Sequence, residues 1–148
     1  VKNHSAWASR IILIGHSGGG QAVGDALVTL ERMGIPVYHV VQIGAPAVPV
    51  HKKYVHKVTR VETRTDFVAR NIHIGTEVIS YGINPISGLL LSFARLFNRK
   101  MPETRYVDLN INGHKWGGHS AYFKRNLKNK YGIDNVTTTV NAFWDKIR

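Results

Sequence analysis

The chain contains no cysteine. That excludes disulfides, thiolate metal sites and a cysteine nucleophile. Acidic residues are scarce: 9 Asp+Glu face 20 Lys+Arg, a formal net charge of +11. No run approaches the roughly 20 apolar residues that span a bilayer. Residues 1–10 lack the apolar stretch of a signal peptide. There is no internal repeat, low-complexity segment or linker. What is present is 148 residues with 43% hydrophobic content, enough for one domain with its own core. The basic balance favours anionic partners, whether nucleic acid, an acidic membrane surface or a phosphorylated substrate, and says nothing about fold. No recognised nucleic-acid motif accompanies it, so no nucleic-acid partner is expected.

Residues 10–14, RIILI, form a short continuous apolar run, as in a strand buried on both faces of a parallel sheet. The run leads directly into GHSGGG. Residues 21–33 follow with a helical pattern in which Ala22, Val23, Ala26, Leu27 and Leu30 share a face. Gly34 ends that helix and Pro36 follows. Residues 37–43 read as a second buried strand, stopped by Gly44-Ala45-Pro46. Residues 57–63 alternate and are rich in β-branched side chains, giving a third strand, and 104–111 give a fourth. Between them, 83–100 predicts an amphipathic helix with Asn84 as N-cap and Pro85 at its first position. Two more helices are predicted, over 120–130 and within 136–147. The fold class expected is α/β: a mostly parallel sheet of about four strands flanked by helices.

Gly15-His16-Ser17-Gly18-Gly19 fits G-x-S-x-G, between a strand and a helix. In that context the serine sits on a strained turn with its hydroxyl presented outward. Gly15 and Gly19 are expected where a Cβ would clash as strand and helix approach. The helix start aims its N–H groups at the site, and the Gly18 N–H is the candidate oxyanion donor. A glycine-rich phosphate turn is the structural alternative, but neither G-x-G-x-x-G nor a P-loop Lys-Ser/Thr is present.

A serine hydroxyl needs a histidine base, and the histidine needs an orienting carboxylate. In α/β-hydrolases the order along the chain is Ser, then Asp or Glu, then His. Asp66, just past the third strand, is the preferred acid, with Glu62 inside that strand as its rival. Asp66 also reads as a loop-capping residue bonded to its own backbone. Asp108 lies inside the fourth predicted strand, and Asp25 and Glu31 lie on the helix after the elbow. Of eight histidines, His119 follows the last strand in a glycine-rich loop and is the preferred base. His114 in the same loop is its rival. His16, within the elbow, is expected to pack or line the site rather than do chemistry, and His39 reads as a satisfied core residue. His51, His56 and His73 have no motif around them. A zinc site from His114 and His119 lacks a third ligand, and no cofactor is required.

These segments resemble the α/β-hydrolase superfamily, and within it the class 3 (fungal-type) lipases and their bacterial relatives. The similar stretches are IILIGHSGGGQAVGDAL, VVQIGAPAV, VETRTDFVAR and GHSAYF, spanning about residues 10–123. The resemblance implies Ser17 as nucleophile, Asp66 as acid, His119 as base and hydrolysis of an ester or lipid through an acyl-enzyme. It also implies several strands before the nucleophile strand, whereas only nine residues precede RIILI. The N-terminal strands, and the loop that usually holds the second oxyanion donor, are therefore expected to be missing, as in the distal piece of a longer hydrolase, which is preferred here to an unusually small one. An open sheet edge would then call for a dimer or companion chain. The segment 84–100 suits either a lid over an acyl site or a core-covering helix. Charge alone supports an alternative, a non-catalytic basic module binding anionic membrane or nucleic acid.

Overall fold

The computed structural model describes residues 10–71, 98–113 and 116–148. Each of the four expected strand segments contributes a strand to one parallel sheet. In chain order the described elements begin with β1 (Ile12–His16), helix α1 (Gly18–Arg32), β2 (His39–Ile43), β3 (Val50–His51) and a 3-10 turn at Lys52–Lys57. Then come β4 (Val58–Glu62), α2 (Phe67–Asn71), β5 (Arg99–Lys100) and β6 (Glu103–Tyr106). A 3-10 turn at Trp116–Gly118 precedes α3 (Asn135–Asn141) and α4 (Trp144–Ile147). The main sheet has the order β1-β2-β4-β6, with every neighbouring pair parallel. This is an α/β arrangement.

Alternation along β2 divides the core. Successive strand residues point to opposite faces. Val40 joins Leu27 of α1, Val37, Tyr54 and Val58 on one side. Val41 and Ile43 join Val61, Val107, Leu109, Tyr122 and Phe143 on the other, where Val140 and Ile147 from α3 and α4 also pack. Both faces of β2 are therefore covered, which is why its apolar run is continuous.

The parallel register has a consequence for function. His16 pairs with Ile43, Ile43 with Val61, and Glu62 with Tyr106. The carboxyl ends of the strands therefore lie along one edge, and the segments leaving them begin there. In open α/β sheets that edge is where ligands bind. Among the described residues β1 is an outer strand, and Ile14 on it is 50% exposed. RIILI is thus not buried on both faces, and the expected open edge is present in the described structure.

Several sequence expectations need correction. The fourth strand stops at Tyr106, because its partner β4 ends at Glu62, opposite it; Asp108 lies beyond the strand, exposed and paired with Lys130 at 3.2 Å. No helix forms over 120–130. Asn129 Oδ1 there accepts from the Tyr131 and Ile133 N–H groups, and Lys128 bridges to Asp134. Asparagine side chains commonly stabilise such turns. Of the helix or lid expected over 84–100, residues 84–97 lie outside the described residues. Arg99–Lys100 form β5 instead of a last helical turn, paired antiparallel with β3 and extended by Lys52 N–H donating to Asn98 O. Gly34 ends α1 as expected, at φ 72°. Helix formation within 136–147 is also met, by α3 and α4.

His39 is 6% exposed, with Nε2 3.0 Å from Thr59 Oγ1, as a satisfied core residue should be. Burial, the largest influence, holds its pKa below the ordinary histidine value, and nearby Lys146 adds to the effect. A histidine with a depressed folded pKa binds its proton more readily when unfolded, so stability is lost as pH falls below about 6.5. The urea midpoint of the protein should therefore drop between pH 7.5 and pH 5, and His39→Gln should flatten that drop. Identical pH slopes for the two proteins would contradict this reading.

Candidate active site

Ser17 is the hinge between β1 and α1. Its backbone has φ 57° and ψ −129°, and among the described residues it is the only non-glycine with positive φ. Such a conformation costs on the order of 1–3 kcal/mol and persists only where its surroundings enforce it. Two hydrogen bonds do so: Ser17 N–H donates to Ile43 O at 3.0 Å, and Gly20 N–H donates to Ser17 O at 2.9 Å. The packing below the turn needs two glycines, but not both of those expected. A Cβ on Gly15 would strike the Gly19 main chain, as anticipated. A Cβ on Gly19 would meet nothing within 4 Å. The second constrained position is Gly20, where a Cβ would strike the Ala45 Cβ. The helix axis brings Gly20, rather than Gly19, against the Gly44-Ala45-Pro46 turn.

A line of hydrogen bonds runs from Ser17 into the protein. Ser17 Oγ lies 2.9 Å from His119 Nε2. His119 Nδ1 lies 3.0 and 3.1 Å from the two oxygens of Asp66. A carboxylate only accepts, so Nδ1 carries the proton and Nε2 is left to accept from the serine hydroxyl. The structure thus brings Ser17, Asp66 and His119 together, from positions 102 and 53 residues apart in the chain.

Asp66 has no exposed surface. Oδ1 accepts from the Ala69 N–H at 2.9 Å, the backbone cap expected of an aspartate at this position. Oδ2 accepts from the Tyr122 hydroxyl at 2.9 Å, and that hydroxyl accepts from the Thr63 N–H at 2.9 Å. Burial pushes the Tyr122 phenol well above its ordinary range, keeping it protonated as a donor to Asp66. Gly44 leaves the room for this contact: a side chain there would meet the Tyr122 ring and Asp66 Oδ2. Tyr122 has no assigned role in the sequence reading, although it lies in the GHSAYF segment. Its position three residues after His119 is the available signal.

The rival acid Glu62 is occupied elsewhere. Its Oε2 pairs with Arg60 Nη2 at 2.9 Å, and both residues are buried. Arg60 Nη2 also donates to Ala45 O at 3.1 Å, and Gln42 Nε2 donates to Gly20 O at 2.8 Å. These groups brace the two turns that face each other beneath Ser17. The rival base His114 lies outside the described residues, as does His73. His51 Nδ1 accepts from Lys53 N–H beside the 3-10 turn, and His56 is an exposed residue of that turn. Gly18 is the first residue of α1 and is exposed. Its N–H has no intrahelical acceptor and points out of the helix start. Among the described residues no group of three or more His, Asp or Glu is placed to hold a metal ion.

Comparison of the chain with known protein families, curated proteins and solved structures found no match.

The glycine assignment is open to a direct check. Gly15→Ala and Gly20→Ala should each lower stability by about 1–3 kcal/mol through overpacking. Gly19→Ala should be neutral or stabilising by up to about 1 kcal/mol, because alanine replaces glycine in a helix without contact. Urea denaturation measures all three. A Gly19→Ala loss equal to that of Gly20→Ala would contradict the packing described.

Proposed function

We propose that this chain is a serine hydrolase of the α/β-hydrolase kind, resembling the class 3 lipases, that cleaves carboxylic esters through an acyl-enzyme. The observation that carries this reading is the strained Ser17 hydroxyl in hydrogen-bond reach of a histidine oriented by a buried carboxylate. Chemically, that arrangement activates a serine. His119 Nε2 takes the Ser17 proton as Oγ attacks the ester carbonyl carbon. Asp66 holds the imidazolium through Nδ1–H. The Gly18 N–H at the start of α1 stabilises the oxyanion. The tetrahedral species collapses, His119 gives its proton to the departing alcohol, and water activated by the same nitrogen then releases the acid.

The surroundings support an apolar ester. Phe67, next to Asp66, and Phe123, whose ring meets His16 edge-on at 5.4 Å, are 55% and 51% exposed. The +11 charge suits approach to an anionic lipid surface. Among the described residues the β1 edge carries no neighbouring strand, which suits a companion strand from a second chain or copy.

Turnover of a short-chain p-nitrophenyl ester tests the reading. Ser17→Ala should lower kcat by at least about a thousand-fold with the fold retained, because the triad acts as a unit. Hydrolysis by Ser17→Ala at the wild-type rate would contradict it. Salt-sensitive binding to anionic vesicles without any ester turnover would favour a non-catalytic basic module instead.

A further inference from the structure

His119 sits in a loop, a poor platform for a base that must stay within reach of Ser17. The segment is held by its own carbonyls. From α3, Asn135 Nδ2 donates to Ala121 O at 3.0 Å and Thr139 Oγ1 donates to Tyr122 O at 3.1 Å. A third tie comes from the opposite side: His16 Nε2 lies 3.0 Å from the main-chain oxygen of His119 itself. A carbonyl only accepts, so His16 carries its proton on Nε2 and donates. The two imidazole rings also stack, with centroids 5.0 Å and planes 30° apart. Tyr122 and Phe123 close on His16 edge-on at 5.7 and 5.4 Å.

We propose that His16 is a positioning residue for the base: its Nε2–H anchors the His119 main chain while its ring backs the His119 imidazole, so the neighbour of the nucleophile sets the reach from His119 to Ser17. The proposal rests on the hydrolase reading above. The clamp works because His16 is covalently next to Ser17. A displacement of the His119 loop away from Ser17 would have to stretch this bond as well as the one to Ser17 Oγ. The clamp must also be neutral, since a cation stacked on His119 would oppose the imidazolium that forms when Ser17 loses its proton. The groups facing His16 are His119, Asp66, Tyr122 and Phe123. Burial dominates, holding the His16 pKa below the ordinary histidine value; the His119 carbonyl and Asp66 pull the other way and His119's charge adds to the lowering.

Two variants test the role. His16→Gln keeps an N–H donor of similar reach, and His16→Ala keeps neither donor nor ring. Misplacing a catalytic group by about 1 Å can cost on the order of a hundred-fold. His16→Ala should therefore lower kcat by roughly that factor while KM stays within about two-fold, and His16→Gln should recover a large part of the loss. In parallel, the 1H–15N signal of the His119 Nδ1–H bonded to Asp66 should be sharp in the wild type, broadened in His16→Ala and restored in His16→Gln. An unchanged kcat and an unchanged signal in His16→Ala would overturn the proposal. So would a loss in His16→Ala that His16→Gln leaves unrepaired. The nuclear signal decides the clamp even in a wild-type protein that turns over no ester, and that absence of turnover would count against the hydrolase reading separately.

Discussion

A carboxyl group with no exposed surface must have its lone pairs filled from within the protein, or its burial is severely unfavourable. Asp66 is such a group. Three donors converge on it: the Ala69 N–H, the Tyr122 hydroxyl and the His119 ring. Each donor brings a segment with it. Ala69 brings the start of α2, Tyr122 is tied back to the end of β4 through Thr63, and His119 brings the loop that reaches Ser17. Satisfying one buried carboxylate therefore assembles the whole candidate site. Gly44 is part of the same constraint, because any side chain there would occupy the space of the Asp66–Tyr122 contact.

The parallel sheet supplies the frame for that convergence. Register places the ends of β1, β2 and β4 along one edge, so Ser17, Gly44 and the Asp66 loop leave the sheet as neighbours. Beneath them, Gln42 and Arg60 sit opposite each other in the register of β2 and β4. They hold main-chain oxygens of Gly20 and Ala45, fixing the start of α1 against the turn after β2. Such a buried ion pair as Arg60–Glu62 adds little net stability, but removing one partner would leave an uncompensated charge, typically costing about 3–5 kcal/mol. The frame is rigid where the site needs it and open at β1, where Ile14 faces outward among the described residues.

Much of this was legible in the sequence because the signals were local. Strand, turn and helix around Ser17 follow from a continuous apolar run, a glycine cluster and a 3.6-residue period. Asp66 and His119 emerged from chain order applied to a short roster of acids and histidines. What was not legible depends on contacts between distant segments. Which glycine meets Ala45 is decided by how α1 lies on β2, so Gly20 and not Gly19 carries the constraint. The roles of Tyr122 and His16 need contacts across 56 and 103 residues, which no spacing rule reveals. Strand ends moved because pairing partners, not propensity, decide where a ladder stops. The helix expected over 120–130 gives way to a series of turns, followed by a loop in which the Asn129 side chain holds the N–H groups of Tyr131 and Ile133.

The central claim is that the geometry around Ser17 makes its oxygen a nucleophile. Covalent trapping tests that claim most directly. The protein is incubated with an alkyl fluorophosphonate, its intact mass measured and the adduct located by peptide mapping. One phosphonyl group per chain, on Ser17 alone and absent from Ser17→Ala and His119→Ala, is the result the account predicts. A folded protein that stays unmodified, or an adduct on any other residue, would contradict it.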